Sequence, residues 1–379
     1  MSRVGEGVLI MAGGTGGHIF PGLAVADSLR AAGVTVRWLG ARGGMECKRV
    51  PAAGIPLDVV DISALRGKGA GRWLVMPLRL LRAVGQAFRL LGRNRPACAI
   101  SFGGYAAGPG GLAARLRGIP LLVHEQNRVP GMTNRTLAKF ASKVLQAFPG
   151  SWDERLEPIT CGNPVRRAVV ELEAPEQRLA GRSGPLRILL TGGSQGALAL
   201  NRLLPEALGL LTAEHGFSVR HQAGPRWVDE TREAYRNAGI PPVGGPSGPT
   251  ATEHVPCRAE VTDFIEDMAA AYAWADVVVC RAGALTVSEV AAAGVAAVFI
   301  PFPHAVDDHQ TRNAEYLVEH EAALLMQESQ VDARKLANVL SSLAGDRARL
   351  AGMATRGRAA AVPDAADRVA ALCREYVTA

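Results

Sequence analysis

The sequence predicts an α/β chain of two Rossmann-like domains, each built on a parallel sheet, facing a central cleft. Three observations carry this. The chain has 379 residues, more than a single hydrophobic core usually serves. Short apolar runs alternate with helical patterns along its whole length, which means a parallel sheet covered on both faces. The two halves also open alike. Val8-Leu-Ile-Met-Ala-Gly-Gly-Thr-Gly-Gly17 and Ile188-Leu-Leu-Thr-Gly-Gly-Ser-Gln-Gly196 each read as a strand, a glycine turn and a helix start, with Gly13 and Gly192 179 residues apart.

In chain order, Val8–Ala12, Val34–Leu39, Ala97–Ser101, Leu121–Val123 and Lys143–Ala147 read as strands of the first half. Pro21–Ala32 and Gly108–Arg117 read as helices between them. Arg187–Thr191, Val219–Gln222, Val277–Cys280 and Ala297–Pro301 read as strands of the second half. The boundary is placed near Gly162-Asn-Pro164, giving domains 1–163 and 164–345. Residues 346–379 are helical in pattern and are expected to pack back across the junction. Residues 240–259, rich in Pro, Gly and Thr, read as a long surface loop.

The composition, 48% hydrophobic, 20% charged and 5% aromatic, is that of a soluble globular protein. The longest nearly unbroken apolar stretch, Val290–Phe302, contains Gly294 and Pro301 and falls short of the roughly 18–20 residues of a membrane span. The single short apolar run near the start, Val8–Ala12, is no signal peptide. Six scattered cysteines, no two closer than 23 residues, indicate neither a zinc site nor a disulfide framework, and fit a reducing cytoplasm.

The formal net charge of +7 hides an asymmetry. Residues 1–163 carry 21 Lys/Arg against 9 Asp/Glu, whereas the remainder carries 21 against 26. Between Asp61 and Glu125 there is no acid but ten basic residues. The first half therefore faces something anionic. On a helix over 72–95, Leu74, Leu78, Leu81, Val84, Phe88 and Leu91 fall on one side. Arg79, Arg82, Arg89 and Arg93 fall on the other, a pattern suited to lying on an anionic membrane surface.

Four turns carry the chemistry. They are Gly13-Gly-Thr-Gly-Gly-His18, Phe102-Gly-Gly-Tyr-Ala-Ala-Gly108, Gly192-Gly-Ser-Gln-Gly196 and Arg281-Ala-Gly-Ala-Leu-Thr-Val-Ser-Glu289. Glycines at a strand-to-helix turn let backbone N–H groups point at an anion, and the helix N-terminus adds partial positive charge. A diphosphate is the usual guest. The dinucleotide fingerprint fails, because Ile19 stands where a small residue is required and the second strand, ending Arg37-Trp-Leu-Gly40, brings no acid for a ribose. No glycine turn ends in Gly-Lys-Ser/Thr, so the P-loop is absent as well. Glu289 either accepts the hydroxyls of a ribose or complements the dipole of the helix it begins.

Gly13-Gly-Thr-Gly-Gly-His-Ile-Phe-Pro21, His124-Glu-Gln-Asn127, Gly162-Asn-Pro-Val-Arg166, Gly192-Gly-Ser-Gln-Gly196 and Ala284-Leu-Thr-Val-Ser-Glu289 occur in that order. The set closely resembles the bacterial undecaprenyl-diphospho-muramoylpentapeptide β-N-acetylglucosaminyltransferases of peptidoglycan synthesis, from about Val8 to the last helix. The resemblance implies the GT-B fold of glycosyltransferase family 28. It implies UDP-N-acetylglucosamine (UDP-GlcNAc) as donor, a lipid-linked muramoyl pentapeptide as acceptor, and inverting transfer to its 4-hydroxyl. It implies no cofactor, no metal and no nucleic acid, and a peripheral location at the cytoplasmic face of the cell (inner) membrane. The pair Asp307-Asp308 reads as solvated loop acids rather than a Mg²⁺ site.

Carried onto this chain, the resemblance puts Thr15, Gly16 and Gly17 beside the sugar and Asn127 on a sugar hydroxyl. Arg166 and Ser194 meet the donor diphosphate, and Ile265 meets the uracil through its backbone. Ala284, Leu285, Thr286, Val287, Ser288 and Glu289 form the donor wall, with Glu289 on the ribose. Gln310, or its neighbour His309, holds the GlcNAc hydroxyls. Gly104, Tyr105 and His124 are expected on the acceptor. For the general base, His18 comes first, since it stands where a glycine turn becomes a helix and its ordinary pKa of about 6.5 suits the task. Glu125 comes second. His18 ordering the loop or binding acceptor diphosphate is the alternative. A UDP-GlcNAc 2-epimerase-like enzyme or another GT-B transferase is the rival function.

Overall fold

The computed structural model describes residues 5–62, 70–193, 196–211, 216–243 and 257–377. These form two compact units, residues 1–166 with 362–379, and residues 167–361. The first unit thus runs past the expected boundary to Arg166. The closing segment 346–379 divides, its helix Arg347–Ala360 belonging to the second unit and its helix Ala365–Arg374 to the first.

The first unit is a seven-stranded parallel sheet. Its strands are β1 (Val8–Ala12), β2 (Val36–Ala41), β3 (Leu57–Val60), β4 (Cys98–Gly103), β5 (Leu121–Glu125), β6 (Lys143–Gln146) and β7 (Ile159–Thr160), in the order β3-β2-β1-β4-β5-β6-β7. Side chains alternate across a strand, and in β1 both faces are buried. Val8, Ile10 and Ala12 enter one core with Trp38, Ile100 and Phe102, while Leu9 and Met11 enter the other with Leu39, Ala99 and Val123. A continuous apolar run follows from that double burial. The helix Ala365–Arg374 covers the first of these cores, placing Val369 and Cys373 in it and accepting a bond from Ser28 Oγ at Asp367 (2.6 Å).

The second unit repeats the plan. Its strands are β8 (Leu186–Thr191), β9 (Phe217–Gln222), β10 (Pro242–Val243), β11 (Cys257–Thr262), β12 (Val277–Cys280), β13 (Ala296–Phe299) and β14 (Ala323–Leu325), in the order β10-β11-β9-β8-β12-β13-β14. Ile188, Leu190, Val277, Val279, Ala296 and Val298 supply one face of its core. The strands β3, β7, β10, β11 and β14 were not expected. Most are short or carry charges, such as Asp58 in β3 and Arg258 and Glu260 in β11, which break the apolar signal at sheet margins. The ends of the expected loop 240–259 belong to β10 and β11, and residues 244–256 lie outside the described set.

The arginine-bearing helix spans Ala70–Arg93. Its apolar side is not uniform, which corrects the single lipid-facing stripe expected from the sequence. Val84, Ala87 and Leu91 are buried, Ala87 and Leu91 in the core beneath the sheet, whereas Leu78 and Leu81 are 67% and 69% exposed. Arg79, Arg82, Arg89 and Arg93 are all exposed; the side chain of Leu74 lies outside the described set.

Candidate active site

Strand order reverses between β1 and β4 in the first unit and between β8 and β12 in the second. Open parallel sheets bind ligands beyond the carboxyl ends of such strands. All four glycine turns leave from these four strand ends.

In the first unit, the turn after β1 leads into the helix Gly16–Ala31, whose N-terminal residue Thr15 is extended and makes no side-chain cap bond. With no acid in its first turn, this helix end keeps its partial positive charge for a ligand. Trp38 Nε1 donates to Ala12 O at 2.8 Å and pins the end of β1. Gly104, at φ +91°, lies so close that a Cβ there would be 2.3 Å from Gly13 O, so this turn accepts no side chain. His18 donates from Nδ1 to Gly13 O at 3.1 Å. Its Nε2 borders Gly103, where a Cβ would lie 3.4 Å away. The Tyr105 ring lies beside Gly14 and is 39% exposed. The structure therefore brings His18, Gly104, Tyr105, Thr15, Gly16 and Gly17 together around two adjoining turns.

Two expected residues serve this site from behind. His124 is fully buried, with Nε2 donating to Gly162 O at 2.9 Å and Nδ1 accepting from Gln126 Nε2 at 3.1 Å. Burial lowers its pKa to about 4, so it is neutral at pH 7 and both ring nitrogens are engaged within the unit. Glu125 is 2% exposed. Its Oε1 accepts from Asn127 N and Nδ2, both at 3.0 Å, and its Oε2 from Gly131 N at 3.1 Å and Asn134 Nδ2 at 3.0 Å. Four donors within the unit thus engage the carboxylate. Asn127 is thereby oriented, half-buried, at the end of β5. Arg166 sits over the Phe20 ring, 5.4 Å from its centroid.

Three residues not foreseen complete this arrangement. Asn134 links the Glu125 carboxylate to Ser101, whose hydroxyl donates to Asn134 Oδ1 (2.9 Å) and accepts from Gly103 N (3.2 Å). Glu46, fully buried, accepts from Ala41 N at 2.9 Å and Gly14 N at 3.2 Å. A Cβ at Gly13, Gly40 or Gly44 would come within 2.2–2.6 Å of this side chain. Gly40, Gly43 and Gly44, just before Glu46 in the sequence, were the available signal.

In the second unit, Ser194 lies outside the described residues, and its described flanks Gly193 and Gly196 lie against the end of β9. Gly193 O accepts from Gln222 Nε2 (2.9 Å), and a Cβ on Gly196 would be 1.9 Å from Ala223 O. Ile265 N donates to Gln222 Oε1 at 3.3 Å. The helix Ala284–Ala293 opens after Gly283 without a side-chain cap and without an acid in its first turn. Glu289 is its sixth residue, so the dipole-complementing alternative does not apply. It is 4% exposed and accepts from Tyr272 Oη at 3.2 Å. Leu285, Thr286 and Ser288 are half-buried, whereas Val287 is fully buried and its N–H is bonded to Gly283 O at 3.0 Å. Arg281 donates to Ile300 O and Pro301 O and pairs with Glu328, tying the ends of β12 and β13.

Gln310 accepts from Phe302 N at 3.0 Å through Oε1, which turns its amide Nε2 away from that bond. Asp307 and Asp308 both adopt left-handed backbones, at φ 54° and 49°, just before it. Asp308 accepts from Thr311 Oγ1 at 2.7 Å. Among the described residues no three His, Cys, Asp or Glu side chains converge on one point.

Comparison with known proteins agrees along the chain. Residues 8–146 match the glycosyltransferase family 28 N-terminal domain, and residues 187–369 match the glycosyltransferase family 28 C-terminal domain. The UDP-N-acetylglucosamine–N-acetylmuramyl-(pentapeptide) pyrophosphoryl-undecaprenol N-acetylglucosamine transferase of Xanthomonas campestris pv. campestris (strain 8004) is 54% identical over 363 residues, 96% of this chain and 80% of its own. The enzyme of the same name from Marinobacter nauticus is 49% identical over 97% of this chain and 96% of its own. The crystal structure of Acinetobacter baumannii MurG superposes with a TM-score of 0.79 at 40% identity, over 98% of this chain and 99% of that one. With both domain models matched in order and relatives near half identity along almost its whole length, the chain belongs to glycosyltransferase family 28.

Proposed function

We infer that the chain is an inverting hexosyltransferase of GT-B fold. It moves GlcNAc from UDP-GlcNAc to the 4-hydroxyl of the muramoyl residue of undecaprenyl-diphospho-muramoylpentapeptide, making the lipid-linked disaccharide used in peptidoglycan synthesis. The observation that carries this is the near-full-length identity to transferases so named, together with glycine turns at both switch points.

The first unit takes the acceptor. His18 Nε2 removes the proton of the 4-hydroxyl as its oxygen attacks the anomeric carbon, while Tyr105 and Gly104 line the approach. The second unit takes the donor. Glu289 receives the ribose hydroxyls, the Ile265 segment the uracil, and the Gln310 amide the GlcNAc hydroxyls. The bond from the anomeric carbon to the diphosphate oxygen breaks with inversion, and UDP departs carrying the electron pair. Backbone N–H groups of the Gly192–Gly196 turn and the helix that follows stabilise the charge gathering there. Each well-placed donor of this kind is worth roughly 3–4 kcal/mol of barrier.

Labelled UDP-GlcNAc and a short-prenyl acceptor analogue test the reading in the presence of EDTA. Label in a lipid-linked disaccharide is the expected result. UDP release without disaccharide, or epimerisation of the donor, would overturn it.

The acceptor is lipid-linked, so the chain works at the membrane surface, on its cytoplasmic face. No helix among the described residues is long and apolar enough to cross a membrane. The exposed Leu78 and Leu81 beside Arg79, Arg82 and Arg89 suit peripheral docking, with each cation near an anionic surface worth about 1 kcal/mol. Changing the three arginines to glutamate should abolish cosedimentation with anionic vesicles while sparing turnover of the short-prenyl acceptor; undiminished binding would sink the docking surface.

A further inference from the structure

Gln222 is the last residue of β9, the strand lying between β8 and β11. Its register partners are Thr191 on one side and Thr262 on the other. Its side chain therefore leaves the sheet where two loops depart, the Gly192–Gly196 turn and the segment reaching Ile265. Gln222 is 4% exposed, and its one amide group serves both. Nε2 donates to Gly193 O at 2.9 Å, and Oε1 accepts from Ile265 N at 3.3 Å.

Neither bond belongs to the strand ladder, and each is non-local in sequence. The neighbouring residue braces the same turn from its other end. Ala223 O accepts from Asn201 Nδ2 at 2.9 Å, and the Asn201 amide is set by His221 Nε2 at 3.0 Å, itself held by Tyr235 Oη at 3.0 Å. Gly193 and Gly196 are thus both set against the end of β9, and Gln222 also reaches Ile265 in the segment beyond β11.

We propose that Gln222 is a positioning residue for the donor nucleotide, holding the diphosphate turn and the nucleobase segment at the spacing one nucleoside diphosphate spans. This rests on the donor reading given above. A ligand that must touch two loops at once gains from both only if their separation is held beforehand; otherwise part of its binding energy orders them. The residue type follows from the geometry. A side-chain amide offers a donor and an acceptor without charge. Glutamate offers only acceptors at pH 7, asparagine is one methylene shorter, and leucine offers neither.

The test is calorimetric titration of the full chain with UDP, alongside initial rates with UDP-GlcNAc and the short-prenyl acceptor, for wild type, Gln222→Leu and Gln222→Glu. Gln222→Leu is expected to weaken UDP about tenfold, the worth of one net hydrogen bond. It should raise KM for UDP-GlcNAc by a similar factor, with kcat at saturating donor and KM for the acceptor little changed. Gln222→Glu should weaken UDP further, because its carboxylate faces the Gly193 carbonyl and the incoming diphosphate. A merely structural role would instead lower the melting temperature and kcat through a smaller folded fraction, with KM unmoved, and would overturn the proposal. So would either folded variant binding UDP as tightly as wild type. Failure of the wild-type chain to bind UDP would overturn the donor reading itself.

Discussion

The ring of His18 is held to Gly13 by a 3.1 Å bond from Nδ1 to the carbonyl oxygen. A carbonyl only accepts, so Nδ1 carries a proton, and the neutral ring has its lone pair at Nε2. The glycine turn thus selects the tautomer whose lone pair is at Nε2. His18→Ala is expected to lower kcat about 10²–10⁴-fold in single-turnover assays, with both KM values within a few-fold. A rise in acceptor KM with kcat preserved would assign the ring to acceptor binding instead.

Buried histidines make the fold acid-sensitive. Burial lowers the pKa of His124 from 6.5 to about 4 and that of His221 from 6.5 to about 3. Between the folded and unfolded values only the unfolded chain binds these protons, so stability rises with pH there and falls on acidification. Urea midpoints should drop as pH goes from about 6.5 toward 4. His124→Gln should flatten part of that slope; an unchanged slope in a folded variant would show that His124 does not contribute.

Glu46 accepts from the buried Ala41 N and from Gly14 N in the exposed glycine turn, within a cage of glycines. Glu46→Ala orphans the buried Ala41 N and leaves a void, at roughly 1–3 kcal/mol for the unmet donor. The urea midpoint is expected to fall accordingly. Gly44→Ala, whose Cβ would lie 2.2 Å from the Glu46 carboxylate, should also destabilise by forcing that side chain aside. A Glu46→Ala variant as stable as wild type would remove Glu46 from the account.

Glu289, held by Tyr272, is assigned to the ribose hydroxyls. Glu289→Gln should raise KM for UDP-GlcNAc about 10–100-fold, the range for losing charge-assisted hydrogen bonds. The wild type should discriminate against a 2′-deoxy donor by a comparable factor, and the variant should not. Equal discrimination by both would place the ribose elsewhere.

The repeated opening of Val8–Gly17 and Ile188–Gly196 made the two Rossmann-like units legible, because a buried parallel strand, a glycine turn and a helix start are all local in sequence. Short or charged strands such as β3 and β11 were not, since they pair at sheet margins where apolar periodicity is weak. Of the site, the glycine turns and His18 could be read directly. The motif His124-Glu-Gln-Asn127 could be located, but not the way its side chains point.

What the sequence by itself determined is where the backbone turns tightly at the strand ends. Glycine at positive φ, as in Gly14, Gly103 and Gly104, is a requirement written into residue identity. Tertiary structure alone decided which polar side chains of the motifs hold the turns from behind. His124 and Glu125 are turned inward by their bonds to Gly162, Gln126, Asn127, Gly131 and Asn134, while Glu46 and Gln222 reach turns 32 and 29 residues away. A buried polar group must find partners wherever the fold supplies them, and those partners come together only when the sheets form.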